Sequence, residues 1–195
     1  MPRDIPVGNG NMLISFDRNY LIRDFYYPYV GQENHTSGKV FRFGVWVNGD
    51  FGWVPDSWKI KMDYLDETLV TDVELIHEKW KIKIYANDLV DFHENIYLKK
   101  IDVENCSSSN IEVRLFLAHD FQILQNDIGD TAVFRPQLNS LLHYKLDRYF
   151  LINIFANKKF GIDYFAAGNK GRPDEIGVCR QQEWHKRSSF LREFF

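Results

Sequence analysis

The chain has 195 residues, of which 45% are hydrophobic and 16% aromatic, with a formal net charge of −3. That length supports one domain with a substantial core and is too short for two. The aromatic content excludes a disordered chain, and the lack of a basic surplus excludes a general nucleic-acid binder. No apolar run reaches transmembrane length, and Met1-Pro2-Arg3-Asp4 does not read as a secretion signal.

Pro2 to Asn11 carries two prolines and Gly8-Asn9-Gly10. We read the glycines as a hairpin turn, because no strand precedes them and no helix follows, as a phosphate loop requires. Met12 to Phe16 reads as the first strand and Asp17-Arg18-Asn19 as a turn. The stretch Arg23 to Thr36 comes next, with neither helical nor clean strand periodicity. It packs Phe25, Tyr26, Tyr27 and Tyr29 beside Pro28, Gly31 and the polar run Gln32-Glu33-Asn34-His35. Pro28 stiffens the aromatic ridge and Gly31 permits a turn. Aromatics beside clustered hydrogen-bonding groups suit a sugar, and equally the contact surface of another domain.

Phe41, Phe43, Val45 and Val47 alternate with Arg42, Gly44 and Trp46, the period of a half-buried strand, and Asn48-Gly49 follows as a hairpin turn. Trp58 to Tyr64, Leu69 to Ile76, Trp80 to Ile84 and Ile111 to Leu117 read as further strands. Tyr149 to Phe155 is a late apolar strand, and Gly161 to Phe165 is a candidate for another. About ten short strands with turns between them, and no long helix before residue 170, predict an all-β domain of two packed antiparallel sheets.

No chemistry stands out against this background. Asp4, Asp17, Asp24 and Glu33 lie near the aromatic stretch, but among 27 acids such proximity arises by chance, and Asp24 is expected to pair with Arg23 or Arg3. His35, His77, His93, His119, His143 and His185 are scattered without metal-ligand spacing. Cys106 sits in a polar turn, far from Cys179, which fits a reducing cytoplasm and gives no disulfide framework. Asn34-His35-Thr36 and Asn105-Cys106-Ser107 match a glycosylation pattern and are read as turn residues. Trp53 and Trp58 are expected in the core; Trp46 falls on the face opposite Phe43 and Val45, free for a ligand or a neighbouring domain.

Pro2-Arg-Asp-Ile-Pro-Val-Gly-Asn-Gly, Ile22 through Thr36 and Phe41-Arg-Phe-Gly-Val-Trp-Val resemble the opening of prokaryotic glycoside hydrolase family 15 proteins, the glucoamylases, glucodextranases and archaeal-type trehalases. Asp91-Phe-His-Glu-Asn-Ile-Tyr, Leu117-Ala-His-Asp-Phe and Ile128-Gly-Asp-Thr-Ala are similar as well, so the resemblance runs over residues 2 to about 170. It implies an N-terminal, supersandwich-like β-sandwich that supports an (α/α)6 barrel, with the two catalytic glutamates in that barrel. On this reading the chain is a non-catalytic fragment with no catalytic residue and no cofactor. Its partner is the barrel, in cis or in trans, and α-glucan or trehalose is the attendant sugar. Arg23, Asp24, Tyr26, Tyr27, Tyr29, Glu33, Asn34, His35 and Trp46 are the expected domain-interface or sugar-contacting residues. The alternative is a stand-alone carbohydrate-binding module using Tyr26, Tyr27, Tyr29 and Trp46.

Residues 171–195 depart from the family, being basic and aromatic where relatives have an acidic Gly/Asn-rich linker. A terminal helix would put Trp184, Ser188, Leu191 and Phe195 on one face. A frameshifted linker is the other reading: a codon choice for Gly177 to Phe190, read one base later, spells a family-like linker, and a frameshift would also account for the missing barrel.

Overall fold

The computed structural model describes residues 4–156 and 158–168, and the backbone of 191–194. These hold fifteen strands: β1 (Asp4–Gly8), β2 (Leu13–Asp17), β3 (Ile22–Tyr26), β4 (Arg42–Val47), β5 (Asp50–Trp53), β6 (Lys59–Tyr64), β7 (Thr71–His77), β8 (Ile82–Val90), β9 (Tyr97–Asn105), β10 (Val113–Ala118), β11 (Thr131–Arg135), β12 (Ser140–Lys145), β13 (Arg148–Ala156), β14 (Lys159–Phe160) and β15 (Leu191–Phe194). The expected antiparallel β-sandwich is what the chain forms. Two three-stranded sheets, β1-β2-β3 and β10-β4-β5, accompany a long sheet ordered β11-β12-β13-β15-β9-β8-β7-β6, with β14 on β13.

Alternation decides which side chains enter the core. Phe43, Val45 and Val47 of β4 are buried, as are Val73 and Leu75 of β7, Ile82, Ile84 and Ala86 of β8, and Phe150 and Ile152 of β13. With Ile14, Phe16 and Phe25 they make one apolar cluster shared by all three sheets. Each such Val, Leu, Ile or Phe side chain contributes about 1.5–3 kcal/mol by leaving water. Asn48 (φ 47°) and Gly49 (φ 107°) are the two left-handed residues that the tight turn between β4 and β5 requires.

Several local expectations change. The Gly8-Asn9-Gly10 turn does join a hairpin, but a strand precedes it, because β1 lies at a sheet edge where the missing N–H of Pro6 is tolerated. The aromatic stretch begins as a strand, β3. Its alternation was hidden because Ser15 pairs with Asp24 and Phe16 with Ile22, leaving Arg23 as an extra residue. That bulge sends Ile22 and Phe25 both inward. Residues 161–168 form no strand. Residues 191–194 are extended and pair with both β13 and β9, so the helical reading does not hold for Leu191. The remainder of the tail, including Trp184, Ser188, Phe195, Cys179, His185 and the frameshift segment, lies outside the described residues, as does Arg3. Among the described residues no helix is long and apolar enough to cross a membrane.

The core also holds an ion pair. Asp88 is fully buried and accepts from Tyr20 Oη (2.7 Å), Thr71 Oγ1 (3.0 Å), Tyr97 Oη and the Lys99 ammonium (2.7 Å). Lys99 also donates to Tyr20 Oη and lies 4.1 Å from the centre of that ring. Two charges survive here because their hydrogen-bonding positions are filled by named partners.

Candidate functional site: the loop end of the sandwich

The loop after β3 is built around its polar residues. The Tyr29 carbonyl accepts from the amides of Gln32 and Glu33, both at 3.1 Å, with Gly31 at φ 79° between them. Asn34 Oδ1 accepts from the amides of Phe25 and Thr36, both at 3.1 Å, while its Nδ2 donates to Asp24 Oδ1 at 2.7 Å. Asp24 also takes the Arg23 guanidinium, whose third nitrogen reaches Asp4 at 2.7 Å. Asn34 thus does for this loop what secondary structure does elsewhere: it satisfies backbone donors.

His35 ties this loop to a second one. Its ring is fully buried, with Nε2 2.5 Å from the Tyr27 carbonyl and Nδ1 3.3 Å from the Leu124 amide. A carbonyl only accepts and an amide N–H only donates, so the proton sits on Nε2 and the imidazole is neutral. Burial pushes its pKa down, and the Tyr27 carbonyl opposes that more weakly. Its carbonyl accepts from the Gln122 amide at 2.6 Å, and Gln125 Nε2 donates to the Gln32 carbonyl at 2.5 Å.

The turn between β12 and β13 completes the end. Lys145 points inward and donates to the carbonyls of Ile123 (2.8 Å) and Asn126 (3.0 Å) and to Asn126 Oδ1 (2.6 Å), with Asp130 at 3.4 Å. Arg148 meets Glu33 through two parallel bonds of 2.9 Å, a fork that fixes orientation as well as distance. On the other flank, Asn9 Nδ2 donates to the carbonyls of Asp91 (2.8 Å) and Glu94 (3.0 Å), fastening the β8–β9 loop to the β1–β2 turn.

Five connections therefore lie at one end of the sandwich, and beside polar tips such as Glu94, Asp127 and Asp147 they expose large apolar side chains. Tyr29 is 56% exposed, Phe92 82%, Ile128 80% and Leu146 76%, with Tyr149 also exposed. The Tyr29 carbonyl is held by the bonds just described, Phe92 lies 5.0 Å from the His93 ring and Tyr149 stacks on Tyr144 at 6.0 Å. A rigid frame carrying such a group suits contact with another surface.

Of the residues expected at a site, Arg23, Asp24, Tyr26, Tyr27, Tyr29, Glu33, Asn34 and His35 do come together here. Their roles divide: Asp24, Asn34 and His35 face inward as ties, Tyr27 packs on Phe150 at 6.0 Å, Arg23 is exposed but held by Asp4 and Asp24, and Tyr29 is exposed. Trp46 is elsewhere. Phe41 bridges Ile22, and from that point β3 runs toward the loop while β4 runs away from it. Trp53 is half-buried rather than in the core, leaving Trp58 as the core tryptophan of that hairpin. Lys145, Arg148 and Asp130 were missed, because nothing in their local sequence distinguishes a tie from a surface charge, and Ile128 and Leu146 because local sequence does not tell an exposed apolar residue from a buried one. Among the described residues no three His, Cys, Asp or Glu side chains are grouped as metal ligands would be.

No family model and no curated protein sequence matches the chain. Among solved structures, a bacterial glucoamylase crystallised with acarbose superposes on 95% of this chain with a TM-score of 0.62 at 16% identity. The chain spans 28% of that glucoamylase, so the likeness is one of fold to a part of a larger protein.

Proposed function

We propose that the chain is the non-catalytic N-terminal β-sandwich of an α-glucosidic hydrolase of family 15 type, and that its loop end docks the catalytic (α/α)6 barrel. The single observation that carries this is the end itself. The connection at β1–β2 is tied to that at β8–β9, and those at β3–β4, β10–β11 and β12–β13 are tied to one another, yet together they expose Tyr29, Phe92, Ile128 and Leu146. A loop end built to touch only water gains nothing from large exposed apolar side chains on so extensively tied a frame. The fold likeness to part of a glucoamylase supports the same assignment. In this role the chain supplies no catalytic group; it holds a neighbour, in cis or in trans, and the choice among starch-like glucan, dextran and trehalose belongs to that neighbour.

The test is a chimera in which this chain replaces the corresponding part of the bacterial glucoamylase. Cooperative melting above that of the isolated barrel, with hydrolysis of maltooligosaccharides retained, is the expected result. Leu146→Asp with Ile128→Asp should split the melting into two transitions. A chimera whose barrel melts as it does alone overturns the reading.

A further inference from the structure

The β10–β11 connection is held in a conformation that its residues do not prefer. Leu124 (φ 58°, ψ 33°) and Gln125 (φ 62°) stand side by side in the left-handed region, inside the single helical turn Ile123–Gln125. Residues with a Cβ seldom enter that region, and two in succession persist only where the surroundings impose them. Here the surroundings are a set of ties. The Gln122 amide donates to the His35 carbonyl at 2.6 Å, and the Leu124 amide to His35 Nδ1 at 3.3 Å. Gln125 Nε2 donates to the Gln32 carbonyl, Lys145 to the carbonyls of Ile123 and Asn126, and the Ile123 amide to Asp130 Oδ2 at 3.2 Å.

One of these ties depends on a proton. Imidazole is the side chain whose ordinary charge change falls between about pH 5 and 8, so the tie through His35 Nδ1 answers to pH in that range. Nε2 already donates to the Tyr27 carbonyl, so an added proton goes to Nδ1 and sets one N–H against another. The groups around the ring do not compensate. Glu33 and Asp130 favour the imidazolium, but Arg148 opposes it and is itself forked to Glu33, while Lys145 lies 3.4 Å from Asp130. Phe25 and Phe150 pack on the ring itself, and His119 and His143 pack on Phe121.

We infer that His35 is an acid-operated latch: neutral, it clamps the strained turn Ile123–Gln125 to the β3–β4 connection, and protonated, it lets that turn go. What the latch governs rests on the docking role proposed above. The two connections it joins carry Tyr29 and Ile128, so in acid the loop end loses the arrangement that receives the barrel. An opened turn frees the imidazole to titrate near its ordinary value of about 6.5, whereas the closed turn excludes the proton. Between pH 7.5 and 5 the open form therefore gains up to about thirtyfold on the closed one.

The experiment is amide hydrogen exchange of the full chain at pH 7.5 and pH 5, each rate divided by that of the unstructured peptide at the same pH. The Leu124 and Gln125 amides should be less protected than those of β8 at both pH values, the mark of a local opening. Their protection should fall about ten- to thirtyfold on acidification. His35→Gln keeps a donor and an acceptor but does not titrate, so it should abolish the fall. His119→Gln and His143→Gln should leave it intact, and they decide the question if His35→Gln does not fold. Unchanged protection of Leu124 between the two pH values overturns the inference, as does protection equal to that of β8. So does a fall that persists in His35→Gln or vanishes in His119→Gln or His143→Gln. In the glucoamylase chimera, one melting transition at pH 7.5 should become two at pH 5, and His35→Gln should keep one at both. A chimera that stays docked at pH 5 overturns the latch's control of docking. One that docks at neither pH overturns the docking role instead, and the exchange result then decides the latch.

Discussion

Replacing His35 by alanine tests whether the loop end is held together as described. The imidazole is fully buried, 4.8 Å from the Phe150 ring centre and 6.4 Å from that of Phe25. Its loss strands the Tyr27 carbonyl and the Leu124 amide, each costing about 1–3 kcal/mol. It also leaves a void whose apolar lining adds about 2 kcal/mol or more. Water entering the void restores part of the first term, so about 3–5 kcal/mol is expected in urea unfolding at neutral pH, a large share of a typical domain's stability. The pH dependence follows from the direction of the shift. Because burial lowers the folded-state pKa, the unfolded chain binds the proton more readily below its ordinary value of about 6.5. The contribution of neutral His35 is therefore complete above about pH 6.5 and shrinks as pH falls from there toward the folded pKa. His77, also lowered by burial, adds a slope of the same sign, so the difference between parent and variant isolates His35. That difference should narrow on acidification, and the Leu124 amide should exchange faster in the variant. A cost below about 1 kcal/mol, or one indifferent to pH between 7 and 5, would refute the reasoning.

Lys99→Met should destabilise by about 3–5 kcal/mol, since it leaves Asp88 charged and buried without its cation. Adding Asp88→Leu should recover part of that loss, and equal urea midpoints for parent and single variant would contradict the buried ion pair. Leu146→Asp and Ile128→Asp, by contrast, should each change stability by no more than about 0.5 kcal/mol, because both side chains are exposed. A fall of several degrees in melting temperature for either would mean that these side chains already pack within the chain.

Much of the fold was legible because strand periodicity is a local property. Phe43, Val45 and Val47 were placed inward and Trp46 outward by alternation alone, and Asn48-Gly49 announced its turn because few other residue pairs adopt two left-handed conformations. The strand Ile22–Tyr26 was not legible, for an equally physical reason: a bulge at Arg23 shifts the inward positions and erases the period.

The candidate site divides in the same way. The run Gln32-Glu33-Asn34-His35 marked the loop, but whether each polar group faces solvent or the protein depends on what the chain brings to it later. Glu33 meets Arg148 across 115 positions of sequence, His35 meets Leu124 across 89, and Lys99 meets Tyr20 across 79. The sequence by itself determined the most regularly alternating strands, their buried faces and the Asn48-Gly49 turn, since these follow from neighbours two to four residues apart. Only the tertiary structure decided which sheets share the core, which charges are ties rather than surface, and that Trp46 lies away from the loop it was grouped with. Those outcomes depend on the order of strands across the sheets, and strand order is set by contacts between residues that no local pattern connects.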